Sequence, residues 1–464
     1  MKKRSVVVLA GLLAAGGLCR AAAAAPPAAK AGELRVPIEE FKLDNGLRVV
    51  LSEDHATPIV AVAVYYKVGS RDEAKGRSGF AHLFEHMMFQ GSAHVKKGEF
   101  FEQVENNGGV LNGSTHTEYT NYFEMMPSDR LELALWLEAD RMRSLAVTAD
   151  NLKNQQEVVK EEKRLRIDNQ PYGAAQLKLP EMLYRNWANA HSVIGSMEDL
   201  DAAKLEDVQA FFKSHYAPNN AVLVIAGDFD PAQAREWAKR HFGAIPSQKL
   251  PDAPDLRESG GVAQADAVMP DPLANVPAIF FAWKVPGRTD ASAHAIDLLT
   301  TILGDGDSSL LHQRLVKEKE MAVSAETSYG EEAGPASADV TVVLRPGADP
   351  ARVTAEIEDV LTRIRDKGVT KEELDRAKAL GRYERFAGGL FGLQTPLGRA
   401  LALGWASTFE KEGPEAVNRE LARMEAVTPE DVRDAARHLF TPGNRVRIEV
   451  APGKTGEKPA GGAR

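Results

Sequence analysis

The run Ser78-Gly79-Phe80-Ala81-His82-Leu83-Phe84-Glu85-His86-Met87-Met88-Phe89-Gln90-Gly91 packs two histidines and a glutamate into one short stretch. Its apolar body and closing glycine predict a helix over Phe80–Phe89. At ~100° per residue, His82, Glu85 and His86 fall within one arc of about 100°, so the three side chains face a single point. Two imidazoles one turn apart can share a zinc ion, and a carboxylate beside them can take a proton from a water. Given 11 histidines and 66 acidic residues in 464, chance yields this pattern about 0.04 times per chain. The remaining histidines, His55, His116 and His312 among them, have no such company and read as surface or packing residues.

A hydrolytic zinc takes three protein ligands and keeps a fourth position open. The stretch after Asp150 reads as a second helix and offers Glu157, Glu161 and Glu162. Counted at ~100° per residue from Leu152, the apolar Leu152, Val158, Val159 and Leu165 point on average to about 290°. Glu162 lies near 280° on the same count, while Glu157 and Glu161 point well to the side. A carboxylate on an apolar stripe needs a partner, either a metal ion or an arginine. The candidate ligands are therefore His82, His86 and Glu162, with Glu85 as general base.

The elements that must position these residues come in duplicate. Glu206-Asp207-Val208, Tyr216, Pro218 and Asn220 are echoed 224 positions later by Glu430-Asp431-Val432, Phe440, Pro442 and Asn444. Val147-Thr148 and Leu152 return 222 positions later as Val369-Thr370 and Leu374. In the first copy, Leu47–Leu51, Ile59–Tyr66 and Thr120–Met125 read as strands and Leu131–Arg143 as helix. In the second, Ala278–Trp283 and Asp339–Leu344 read as strands, and Ser292–Leu303 and Ala351–Arg365 as helices. This pattern predicts an α+β protein of two tandem α/β sandwich halves with mixed, largely antiparallel sheets covered by helices. The halves span 33–246 and 274–452, joined by a Pro, Gly and Asp-rich linker over 247–273 that lacks a clear period.

The first 25 residues have the form of a secretory signal: Met1-Lys2-Lys3-Arg4, an apolar run from Val6 to Leu18, then Ala21 to Ala25. That run is short of the ~18 apolar residues of a membrane span, and no later segment reaches this length. The mature chain is expected to be exported, to the periplasm of a Gram-negative bacterium, without a transmembrane segment. Cys19, the only cysteine, lies in the signal; a lipoprotein anchor there is the alternative. Loss of Lys2, Lys3, Arg4 and Arg20 with the signal moves the formal net charge from −9 to −13, which disfavours nucleic acid as a partner. The tail 453–464 has no periodic apolar residues and reads as disordered.

From about Glu39 to Ala451 the chain resembles the pitrilysin/insulinase family of inverzincin peptidases, whose inverted His-x-x-Glu-His motif is completed by a glutamate on a later helix. The resemblance implies one zinc per chain and also selects Glu162. It places Gln155 where relatives often carry a second, supporting glutamate. It identifies Leu111–Tyr122 with the family's substrate strand, so that Asn112, Gly113 and Ser114 flank the scissile bond. Relatives that act as single chains or homodimers carry an Arg and a Tyr after a glycine-rich loop. Here Gly304-Asp305-Gly306-Asp307-Ser308-Ser309 matches that loop, but the two positions are Val316 and Val323, with Arg314 as a neighbouring substitute. The resemblance thus implies peptide hydrolysis with help from a homologous, metal-free subunit that supplies the Arg and Tyr. That makes a heterodimer, with a homodimer as the alternative. A non-catalytic zinc-binding assembly subunit and a peptidase maturing one dedicated precursor stay open as other readings.

Overall fold

The structure is a computed structural model that describes residues 35–453. The expected signal, Cys19 and the tail from 454 lie outside the described residues. Among the described residues, eleven strands form two sheets. The first holds β1 (Glu39–Lys42), β2 (Arg48–Glu53), β3 (Ile59–Tyr66), β4 (Val110–Thr115), β5 (Thr120–Pro127) and β6 (Ala221–Gly227), in the order β1-β2-β6-β3-β5-β4. The second holds β7 (Asp266–Asp271), β8 (Ala278–Val285), β9 (Ala322–Tyr329), β10 (Ala336–Leu344) and β11 (Arg445–Pro452), in the order β7-β11-β8-β10-β9.

Without the edge strand β1, the two orders are the same permutation, and in each sheet only one pair, β2 with β6 and β7 with β11, is parallel. The duplication read in the sequence is thus a duplication of topology. Thr148 and Thr370, matched across the repeat, both cap helices by accepting the N–H three residues on, in Ala149–Lys163 and Lys371–Ala387.

Each sheet is buried on both faces, as the unbroken apolar run of β3, Ile-Val-Ala-Val-Ala-Val-Tyr-Tyr, requires. One face of the first sheet (Val49, Val60, Val62, Val64) packs on helices Phe80–Met87, Leu131–Ser144, Leu205–His215 and Pro231–Phe242. Its other face (Val50, Ala61, Ala63, Val224) is covered by Leu397, Ala400 and Leu403 of the helix Pro396–Phe409, which comes from the second half of the chain. Conversely, Phe280, Ala282 and Ile448 of the second sheet are covered by Ala175, Met182 and Leu183, on or beside the first half's helix Gly173–Leu183. These two helices begin 223 positions apart, so the halves exchange equivalent helices.

The metal-motif helix ends at Met87, not Phe89, because the chain turns toward Gly91, whose φ of 99° is left-handed. The segment expected to be linker contributes β7, an edge strand whose alternate residues face solvent and which therefore shows little apolar signal. The run Leu111–Tyr122 is a hairpin, with β4 turning at His116–Tyr119 into β5.

Candidate metal centre

His82 and His86 project from one face of the helix Phe80–Met87, whose opposite face buries Leu83, Phe84 and Met87 in the first core. Glu162 comes from the last turn of the helix Ala149–Lys163, which packs across the motif helix through Leu152, Gln155 and Val159. Val158 and Leu165, counted above as part of the buried stripe, are 41% and 57% exposed; Glu162 sits at the edge of the buried face.

Oε2 of Glu162 lies 3.2 Å from Nε2 of His86 and 3.7 Å from Nε2 of His82. Donors arranged tetrahedrally at ~2.0–2.2 Å from one zinc are separated by roughly 3.3–3.6 Å, so this set fits such an ion. Among the described residues it is also the one cluster of His, Cys, Asp and Glu dense enough to hold a metal. Burial pushes His82 down to about 3, helped by the neighbouring His86 and Arg166, and burial lowers His86 as well. Both rings are neutral around pH 7, with lone pairs free for a cation.

Glu85 lies on the same side of the helix. Its Oε2 accepts the Thr115 hydroxyl at 2.6 Å, tying the carboxylate to β4. Burial raises its pKa to about 7; Thr115 opposes this and the Glu162 carboxylate adds to it. Strand β4 is the free edge of its sheet. A Cβ on Gly113 would come within 3.3 Å of the Glu85 side chain, so this strand passes directly over the carboxylate. Asn112, Gly113, Ser114 and Thr115 line a cavity of about 680 Å³ with His82, Glu85, His86, Gln155 and Glu162. Gln155 is buried and lines the cavity with His86, and its side-chain amide donates to Oδ1 of Asn154 at 2.9 Å.

Three features had no sequence signal. Glu73, fully out of solvent, caps the motif helix: its carboxylate accepts the N–H of Gly79 at 2.9 Å and of Ala81 at 2.8 Å, and bonds Nε2 of His191 at 3.0 Å. Three residues that follow His191, Ser192 to Ile194, form part of the cavity wall. This wall meets the helix start through Gly79, whose φ of 85° and close approach to the Ile194 carbonyl leave no room for a side chain. Finally, Arg166 lines the cavity and pairs with Oε1 of Glu162 at 2.9 Å. Neither Val316, packed on the second core, nor the exposed Val323 reaches this cavity, and Arg314 is held by Glu356 and Glu318.

The insulinase (peptidase family M16) model matches residues 48–196, and the peptidase M16 inactive domain model matches residues 202–380. The chain is similar to zinc protease PqqE of Helicobacter pylori, at 31% identity over 344 residues, covering 73% of this chain and 77% of that protein. Its fold is similar to the crystal structure of a protease from Helicobacter pylori (TM-score 0.84, 27% identity, 90% of this chain and 100% of that one). It is also similar to the periplasmic protease PqqL of Escherichia coli (TM-score 0.71, 18% identity), where it covers 90% of this chain but 48% of that one. A single fold thus runs through both halves of this sequence, with the His-x-x-Glu-His helix in the first and a copy without that motif in the second: the chain belongs to the M16 peptidase family.

Proposed function

We propose that this chain is a zinc-dependent endopeptidase or oligopeptidase subunit, with His82, His86 and Glu162 as ligands and Glu85 as general base. The observation that carries the proposal is Glu85, held by Thr115 against an open strand edge and beside three metal donors. When bound, zinc would polarise the scissile carbonyl and acidify a water. Glu85 takes the proton and passes it to the leaving amine. The edge of β4 at Asn112–Ser114 pairs with an extended peptide backbone, which gives affinity with little sequence preference and favours short or unfolded substrates. Gln155, buried in the wall of the same cavity, stands where a second glutamate would add charge and offers an uncharged amide instead.

The first-half cavity lacks an Arg–Tyr pair from the second half, which supports a homologous partner subunit that brings one, in a heterodimer or, alternatively, a homodimer. No helix among the described residues is long and apolar enough to cross a membrane. With the signal-like start, this supports export to the periplasm. A second reading, a non-catalytic zinc-binding subunit, is favoured by Val316 and Val323 alone, and the retained Glu85 weighs against it.

The test is hydrolysis of a quenched fluorescent peptide library by the zinc-loaded protein, with Glu85→Gln as the blank. Weak Glu85-dependent turnover is expected alone, rising ~10²–10³-fold with the partner, the usual worth of an oxyanion donor. Full turnover alone removes the partner requirement, and stoichiometric zinc with no turnover in either setting leaves the non-catalytic reading.

A further inference from the structure

The sequence offers two partners for a carboxylate on an apolar stripe, a metal ion or an arginine, and the structure gives Glu162 both kinds of neighbour. Its Oε2 faces the imidazole nitrogens of His82 and His86, while its Oε1 takes Nη1 of Arg166 at 2.9 Å. The two oxygens are thus divided between two tasks. Arg166 lies in the π-helical turn Arg164–Asp168 that follows the helix, a local departure from α geometry of the kind that recurs at functional sites. The other charges of this turn are engaged elsewhere, Arg164 with Glu161 and Lys163 with Asp168. Of the residues lining the cavity, Arg166 alone is a lysine or arginine.

We propose that Arg166 is a positioning residue for the metal centre. By holding Oε1, its guanidinium fixes the rotation of the Glu162 carboxylate and presents Oε2 alone to the ion. The inference rests on the zinc reading above. An unrestrained carboxylate at a helix end would lose side-chain freedom on binding the metal, and one already held in an ion pair has less left to lose. Arg166 also carries a positive charge beside a cation site, which acts in the opposite sense. Its side chain is 76% exposed, so solvent and salt screen that longer-range repulsion, whereas the ion pair to Oε1 is a direct contact at 2.9 Å.

The test is zinc affinity, measured on the full purified chain by competition with a chelator, together with the visible absorption of the cobalt(II)-loaded protein as a report on ligand geometry. Arg166→Gln is expected to bind zinc ~10–100-fold more weakly and to shift the cobalt bands, the usual cost of losing a group that orients a ligand. Arg166→Lys, which keeps the charge without the planar fork, is expected to fall between the two. His82→Ala sets the scale for loss of a true ligand. Because Arg166 is exposed, the metal-free variants should melt with the unmodified protein. Zinc binding by Arg166→Gln as tight as that of the unmodified chain, or tighter, overturns the positioning role and leaves the zinc reading intact. An unmodified chain that binds zinc no better than His82→Ala overturns the zinc reading, and the positioning role with it.

Discussion

Burial sets the chemistry residue by residue. It lowers both imidazoles, so protonation of His82 and His86 does not compete with a cation near neutral pH. It raises Glu85 to about 7, so the same environment holds the proposed base close to its working pH. A general base acts only when ionised, so kcat/KM should be low when Glu85 is protonated and rise as pH climbs through its pKa. A cation bound nearby favours the carboxylate, so the midpoint of this acid limb should lie at or below ~7. A pH–rate profile checks this, and an acid limb with its midpoint clearly above ~7 would remove Glu85 from the role. His82, Glu85 and His86 were legible because three residues on an unbroken helix obey one simple period. Glu162 was legible for a partly mistaken reason, since two of the four apolar residues that pointed to it are exposed. Arg166 was not legible, because a count of 100° per residue fails in the π-helical turn beyond Lys163.

At the scale of elements, the motif helix is only eight residues long, too short to be stable by itself, and depends on what holds its ends. Its N-terminus has no side-chain cap from its own N-cap residue, Gly79, and is instead satisfied by Glu73 from the preceding loop. A carboxylate here neutralises two orphan N–H groups and complements the helix dipole. Glu73→Gln keeps one acceptor and turns an amide toward N–H donors, so it should cost about 1–3 kcal/mol of stability. Denaturant unfolding measures this; an unchanged midpoint would mean that the helix start is held by the Gly79–Ile194 contact alone. Nothing in the run Arg71-Asp72-Glu73 sets Glu73 apart in sequence, and only the return of His191 and the cavity wall to this point explains it. Strand β3, by contrast, announced that both its faces are covered, though not by which helices.

For the whole molecule, the exchange of Gly173–Leu183 and Pro396–Phe409 makes neither sheet complete within its own half. The contact is close: a side chain on Gly404 would run into the Tyr65 ring, and the Tyr65 hydroxyl donates to the Leu401 carbonyl at 3.1 Å. Gly404→Leu should therefore cost about 1–3 kcal/mol through overpacking, although it lies far in sequence from the sheet it disturbs. A thermal melt tests this, and an unchanged Tm would show that the exchanged helix is loosely seated. The duplication was visible in sequence as matched caps and strands, but an exchange between copies leaves each copy's pattern unaltered and is invisible there. The exchange also has a consequence in time. Synthesis proceeds at ~5–20 residues per second, so roughly ten to thirty seconds separate completion of β6 from the arrival of the helix that covers it. Throughout that interval the apolar back of the first sheet has no native cover, so its burial waits on the last third of the chain.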